Sequence, residues 1–293
     1  MDTVDLYLKS IQHTVSYETI KGYAADLASF NGFLKKRFHL SDLELDSNEN
    51  KFLTEITEAD LYAYINYIQN EYGNGSHALN RKISVLRGYF KYLTRERILM
   101  RNPAGSIESV KVHKALDYIP NIEECNELIA SIKGKNAKRD KLLIGLILIC
   151  GLKVSELTAI ETTDVNLSQN CMGIREDSDC IRYVYYNDAL KSILSDFLKT
   201  DQYLYLFESD EKKSISKRTV HQIVVKYLSS SGMYQKGTTT ESLRKTCKTF
   251  LKKYCKMDSL QIEKYLGRKL DQDTELVSPS RELLNKISID FEE

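Results

Sequence analysis

Residues Leu142 to Leu152 form an apolar run broken only by Gly145 and Gly151, led in by the charged segment KRDK from Lys138. A helix that is apolar on every face has no side to show to water, so it must be wrapped by the other elements of a domain. The run falls short of the roughly 20 apolar residues a bilayer span needs. Gly151 provides a stop, because glycine tolerates the left-handed conformation that ends helices. The chain has 293 residues, 42% of them hydrophobic and 28% charged, which suits two globular domains with proper cores. Its start, MDTVDLYLKS, lacks the basic region and long apolar stretch of an export signal. The protein is expected in the cytoplasm, with no membrane partner.

The first third reads as helices. Ser16 stands ahead of an amphipathic stretch in which Ile20, Tyr23, Leu27, Phe30, Phe33 and Leu34 recur at helical spacing. Thr57 and Asp60 form a capping-box pair before a second helix, and Gly73 to Ser76 break it. A long helix follows from about His77 to Ile98, ended by Asn102-Pro103. Ile83, Leu86, Phe90 and Leu93 give it a core face, while Arg81, Lys82, Arg87, Lys91 and Arg95 lie mostly elsewhere. After a linker at Ser106 to Ile119, Asn121 and Glu124 open the second domain as N-cap and capping-box partner. A short helix is expected at Val154 to Ile160. Residues 171–176 and 181–186 have strand propensity and predict a small antiparallel sheet whose turn is Asp177 to Cys180. Helices are then expected at 187–199, 216–229, 240–254, 259–266 and 281–287. The fold class is mainly α with a small antiparallel β-sheet, divided as 1–105, a linker at 106–119, and 120–293.

Net charge is only +1, but it is segregated. Residues 42–60 are acidic, Arg81 to Arg101 is basic, and Glu211 to Lys269 carries 15 Lys or Arg against 4 acids. Two basic stretches in separate halves suit a clamp on a duplex. Solvated helix faces are the commoner fate of such runs. The six cysteines, Cys125, Cys150, Cys171, Cys180, Cys247 and Cys255, show neither a CxxC pair nor a metal-like spacing, so reduced thiols and no metal or other cofactor are expected.

Three short motifs occur in order: GLKVSEL from Gly151, LRKT from Leu243 and LGR from Leu266. Together they resemble the catalytic domain of the phage-integrase, or Xer-like, tyrosine recombinases. Thr19, Tyr23, Asp26, Leu27, Phe30, Arg81, Leu86, Arg87, Phe90, Leu93 and Asn102-Pro103-Ala104 match patterns of the helical, SAM-like core-binding domain of the same family. The resemblance implies a core-binding domain followed by a catalytic-type domain, set as a clamp around double-stranded DNA. In that family a tyrosine phenolate attacks a phosphodiester, leaving a 3′-phosphotyrosyl bond and a free 5′-hydroxyl. The chemistry is metal-free, and two arginines, a lysine and two histidine-type donors stabilise the transition state. Such preorganised donors are worth about 10² to 10³ in rate each.

This chain keeps the frame of that site and few of its residues. Arg244 matches the second arginine, and Lys153 stands at the first. Lysine keeps the charge there and loses the planar fork that grips two phosphate oxygens. The lysine position falls on Asp177, the two histidine positions on Glu241 and Arg268, and the tyrosine position on Val277, nine residues past Arg268. No tyrosine follows Tyr265. A carboxylate repels a phosphodiester, so Glu241 suggests an internal ion-pair cluster with Lys153, Arg244 and Arg268. Alternatively these residues are surface groups that never meet. Ser278, Ser280 and Tyr265 are weak candidates for a displaced nucleophile, since the site offers no base designed for serine and Tyr265 has the spacing of a core residue. The tyrosines at 62, 64, 67, 183, 185 and 186 could stack on bases or pack inward. Leu283, Leu284 and Ile287 could dock on a neighbouring subunit or on their own domain.

The expectation is a DNA-binding member of the family that does not cleave, touching duplex DNA through Arg81, Lys82, Arg87, Lys91, Arg95, Lys217, Arg218, Arg244 and Lys245. It would act in site-specific recombination or its regulation, as a homo-oligomer or beside an active recombinase. The alternatives are a divergent but active recombinase, and a protein-interaction module that has left DNA.

Overall fold

The computed structural model describes residues 3–39, 52–73, 75–111, 118–176, 179–199, 204–209, 211–268 and 277–291. The chain divides into two compact units, Met1–His113 and Lys114–Glu293. The first unit holds α1 (Thr3–Ile11), α2 (Tyr17–Phe38), α3 (Glu58–Tyr72) and α4 (Ser76–Arg95). Ser16 caps α2 by accepting from the Thr19 backbone N–H. At the start of α3, Asp60 Oδ2 accepts from the backbone N–H of Thr57 at 3.0 Å, and Arg37 donates to its other oxygen. The core is aromatic-rich: Phe30, Phe33, Tyr64, Tyr89 and Phe90 are buried among Leu27, Leu34, Leu61, Ile68, Leu86 and Leu93. The helix expected to run to Ile98 ends at Arg95. Arg97 takes φ 60°, and the amides of Ile98 and Leu99 both turn back to the Leu93 carbonyl, which closes the helix three residues early.

The second unit is built around α6. Its helices are α5 (Ile122–Ala130), α6 (Ala137–Cys150), α7 (Val154–Leu157), α8 (Asp188–Leu198), α9 (Lys217–Ser230), α10 (Thr240–Tyr254), α11 (Ser259–Tyr265) and α12 (Arg281–Leu284). Every residue of α6 from Asp140 to Cys150 is buried, the condition its all-round apolar sequence demands. Gly151 follows at φ 65° and ends it. A three-stranded antiparallel sheet has the order β1 (Val165–Asn166), β2 (Cys171–Glu176), β3 (Asp179–Tyr185). Strand β1 is two residues long, too short to leave an alternating pattern, and was not among the expected elements. The strands β2 and β3 pair Cys171 with Tyr185 and Gly173 with Tyr183, with an irregularity at Ile174/Arg175.

The tail closes the same core. After the single turn of α12, Ile287, Ile289 and Phe291 are buried. Asn187 donates to the Ile287 carbonyl at 2.9 Å and Lys141 to the Phe291 carbonyl at 3.1 Å. A Cβ on Gly145 would lie 2.6 Å from the Phe291 ring, so α6 needs glycine there for the tail to seat. Of the two open dispositions of the tail, the one found is docking on its own unit. The helix expected at 281–287 stops at Leu284, because the last segment runs on to fill the core. Among the described residues, no helix is long and apolar enough to cross a membrane, and no cluster of His, Cys, Asp and Glu could hold a metal ion.

Candidate functional site

The three motifs meet. Lys153, Glu241, Arg244, Lys245, Lys248, Glu263, Leu266, Gly267 and Arg268 line one groove of about 440 Å³. Five of these side chains are cationic and two are anionic, so the groove favours an anion. Helix α10 presents Glu241, Arg244, Lys245 and Lys248, spaced three or four residues apart from Glu241 onward or adjacent, from one side. The Gly151 turn after α6 brings Lys153, and the turn after α11 brings Leu266 to Arg268. Arg244 is fixed by backbone: its Nε donates to the Gly151 carbonyl at 2.7 Å and its Nη2 to the Leu266 carbonyl at 2.5 Å. Those two bonds join the first and third motifs through the second and hold the guanidinium in one orientation.

Adjoining the groove, in a pocket that shares Lys153, Gly267 and Arg268 with it, is a largely buried ion pair that the motifs did not reveal. Arg182 on β3 donates through Nη1 and Nη2 to the two carboxylate oxygens of Glu156, at 2.9 and 3.0 Å, and through Nε to the Tyr265 carbonyl at 2.9 Å. The Arg182 side chain is 3% exposed and that of Glu156 11%. Glu156 also accepts from the Lys153 backbone N–H at 2.8 Å, forming the cap of α7. Its signal in the sequence was its place three residues after Lys153, the capping-box spacing.

Gly267 sits over this pair at φ 75°, where an added Cβ would lie 3.0 Å from Arg182 Cζ. Gly267→Ala is therefore expected to lose about 1–2 kcal/mol from left-handed backbone strain alone, and more from pushing on a guanidinium that has no room to move. Thermal unfolding should show a fall of several degrees. An unchanged midpoint would mean that the turn relaxes freely.

The expected internal cluster of Lys153, Glu241, Arg244 and Arg268 does not form. Glu241 lines the groove but is exposed, and among the described residues it makes no ion pair; the first turn of α10 points it at solvent. The acids that do neutralise the groove are Glu156 and Glu263. Lys153 Nζ lies 3.6 Å from Glu156 Oε1 and donates to the Gly267 carbonyl at 3.2 Å. Arg268 Nη1 lies 3.3 Å from Glu263 Oε2, and Lys248 bonds the other oxygen. The Lys248 hydrogen bond holds the Glu263 carboxyl below its usual range against the opposing effect of burial, with Arg268 assisting. The alternative in which the motif residues never meet is also set aside, since all four border one groove.

The possible nucleophiles divide cleanly. Tyr265 is 1% exposed; its hydroxyl accepts from the Tyr185 amide at 2.8 Å, and burial, then the neighbouring Cys150 and Cys247, push its ionisation well above the ordinary phenol range. It is a core residue. Ser280 caps α12 by accepting from the Leu283 amide. Ser278 is exposed and Val277 half-buried. Asp177 lies outside the described residues.

The candidate phosphate-contacting residues of the first unit are mostly committed elsewhere. Arg81 and Lys82 both grip Asp26, a residue only 4% exposed, at 2.7 and 2.8 Å. Arg87 holds the Ile107 carbonyl and Ser109 Oγ, laying the following segment along the unit. Arg95 pairs with Glu96 and stacks on Tyr92. Lys91 is exposed, with no partner among the described residues. In the second unit, Lys217 and Arg218 are exposed in the first turn of α9, beside Val154, His221, Gln222, Val225 and Lys226 in a shallow trough. Lys245 lines the groove with Arg244. The tyrosines are mainly structural: Tyr64 and Tyr186 are wholly buried, whereas Tyr62 and Tyr183 are 39% and 50% exposed.

Comparison with known proteins agrees with this architecture. Residues 121–275 match the phage integrase family, and residues 4–97 match the phage integrase N-terminal SAM-like domain. The chain is 32% identical over 295 residues to the tyrosine recombinase XerC of Caldanaerobacter subterraneus subsp. tengcongensis, covering 92% of this chain and 82% of that protein. It is 25% identical to the XerC of Lacticaseibacillus casei, covering 73% and 72% of the two chains. Among solved structures, a lambda integrase dimer bound to a COC′ core site superposes with a TM-score of 0.70 at 16% identity, covering 93% of this chain and 96% of that one. The Tn1549 transposon integrase in complex with a circular intermediate DNA gives 0.69 at 15%, covering 92% of each. Those two likenesses establish the fold. The domain matches and the XerC identity establish more: the chain belongs to the phage integrase family, the tyrosine recombinases.

Proposed function

We propose that this protein binds duplex DNA through the groove of the second unit without cutting it, and acts in site-specific recombination as an accessory or regulatory subunit. The observation that carries this reading is the state of the groove. Arg244 is locked by two backbone carbonyls beside a cationic majority, while the position at which the family resemblance implies the nucleophile holds Val277 and the nearest tyrosine before it, Tyr265, is buried. Phosphate binding survives such changes more readily than catalysis does. Charge attraction needs only cations, whereas transition-state stabilisation needs particular donors at particular atoms. Lys91, Lys217, Arg218, Arg244 and Lys245 are the contacts this reading relies on most. The charges of Arg81, Lys82 and Arg95 are offset in part by Asp26 and Glu96, whereas Arg87 keeps its charge and gives donors to Ile107 and Ser109.

One observation favours a second reading, in which strands are broken with a tyrosine supplied by a partner subunit: the 32% identity to a protein named tyrosine recombinase XerC extends over 92% of this chain. One experiment separates the two. Selection from random duplexes at two salt concentrations, followed by denaturing electrophoresis, is expected to enrich a sequence and yield no covalent adduct. An adduct formed by this chain alone would overturn the non-cleaving reading. Failure to bind any duplex at low salt would leave the family fold serving protein contacts instead. Arg244→Gln is expected to weaken duplex binding with a lower salt dependence, since one phosphate contact accounts for about 0.9 of the slope of log K against log salt.

A further inference from the structure

Lys153 is a cation of the groove with a carboxylate, Glu156, three residues along the chain. Its ammonium lies 3.6 Å from Glu156 Oε1, beyond a hydrogen bond, and donates instead to the Gly267 carbonyl. The side chain remains 43% exposed. A carboxylate three residues away along the same short helix would ordinarily capture it. Here it holds Lys153 only as a 3.6 Å ion pair with no hydrogen bond, because both oxygens of Glu156 are already taken by the fork of Arg182 at 2.9 and 3.0 Å. Arg182 is itself oriented by a hydrogen bond to the Tyr265 carbonyl and lies against Gly267.

We propose that Arg182 is a positioning residue, which occupies Glu156 and thereby leaves the Lys153 ammonium available to a DNA phosphate. Arg182 touches no ligand in this account. Its effect passes through Glu156 to Lys153, and it rests on the groove being the duplex-binding surface proposed above. The sign of the effect is unusual: deleting a buried cation removes a phosphate contact made by a different residue, and deleting the acid as well gives that contact back.

The test compares the full-length protein with Arg182→Gln, Arg182→Lys, Lys153→Gln and the double variant Arg182→Gln with Glu156→Gln. Two readouts are taken. Duplex binding across salt concentrations gives the slope of log K against log salt, and labelling by an amine-directed acetylating reagent, read by mass spectrometry without DNA, gives the reactivity of Lys153. In Arg182→Gln, Glu156 captures Lys153, so the slope falls by about 0.9, matching Lys153→Gln, and Lys153 labelling slows. In the double variant both return to wild-type values, and Arg182→Lys, which keeps a cation against Glu156, retains most of each. A merely structural role for Arg182 predicts a lower melting temperature with slope and labelling unchanged in the folded fraction, and no recovery on neutralising Glu156; that pattern overturns the proposal. Wild-type protein that fails to bind duplex removes the DNA reading alone, because the labelling comparison still decides whether Arg182 governs Lys153.

Discussion

Glu156→Ala is expected to destabilise the second unit by about 3–5 kcal/mol, the usual consequence of leaving a buried charge without its partner. The Arg182 guanidinium would keep only its bond to the Tyr265 carbonyl, in surroundings where its side chain is 3% exposed. The same substitution removes the acceptor for the Lys153 N–H at the start of α7, which adds about 1 kcal/mol for a lost cap. Chemical denaturation should show a lower midpoint at an unchanged slope, since the same surface is exposed on unfolding. Pairing Glu156→Ala with Arg182→Met should recover most of the loss, because replacing both members of a buried ion pair by uncharged groups is often neutral. A single-variant loss under 1 kcal/mol would show that water reaches Arg182 and that the pair is not the joint between β3, α7 and the turn after α11.

The parts of this molecule that follow from local rules were legible in the sequence. The apolar run at Leu142 to Leu152 called for a wrapped helix, and all of α6 from Asp140 onward is buried. The Asn121 and Glu124 pair called for a cap, and Glu124 N–H donates to Asn121 Oδ1 at 2.9 Å. Helix α10 was expected at Thr240 to Tyr254, and those are its ends. What escaped was pairing across distance. Charge counting treats Arg81, Lys82 and Arg87 as free, whereas Asp26 on α2 and the carbonyl of Ile107 claim them; no spacing rule within α4 reveals a partner 55 residues away. The ion-pair cluster was misassigned for the same reason. Motif positions identify which residues border the groove, but whether Glu241 or Glu263 neutralises it depends on which way each helix face turns.

Val277→Tyr alone is expected to produce no covalent protein–DNA product, whereas Val277→Tyr combined with Lys153→Arg, Asp177→Lys, Glu241→His and Arg268→His is expected to produce one. A phenol at position 277, where the family resemblance implies the nucleophile, would supply that group and nothing else. The charge that develops on the non-bridging oxygens would still meet Lys153 as a point charge, no donor at 241 or 268 of the histidine type, and an exposed carboxylate on Glu241 at the rim. Each missing donor costs about 10² to 10³ in rate, and such groups act as a unit, so restoring one of several returns little. The carboxylate adds a repulsion of about 1–4 kcal/mol if it comes within 4 Å of the phosphate. Reversal at all five positions restores every role that the family resemblance implies. It leaves Arg244 in the orientation fixed by Gly151 and Leu266, and leaves Glu263 paired with Lys248 when Arg268 is removed. A nicked duplex that traps the cleaved strand, followed by denaturing electrophoresis, measures both variants. An adduct from Val277→Tyr alone would mean that Arg244 and Lys153 suffice for the chemistry and that only the nucleophile was lost. No adduct from the fivefold reversal, in a protein that still binds duplex, would mean that the groove has moved away from cleavage in its backbone as well as in its side chains.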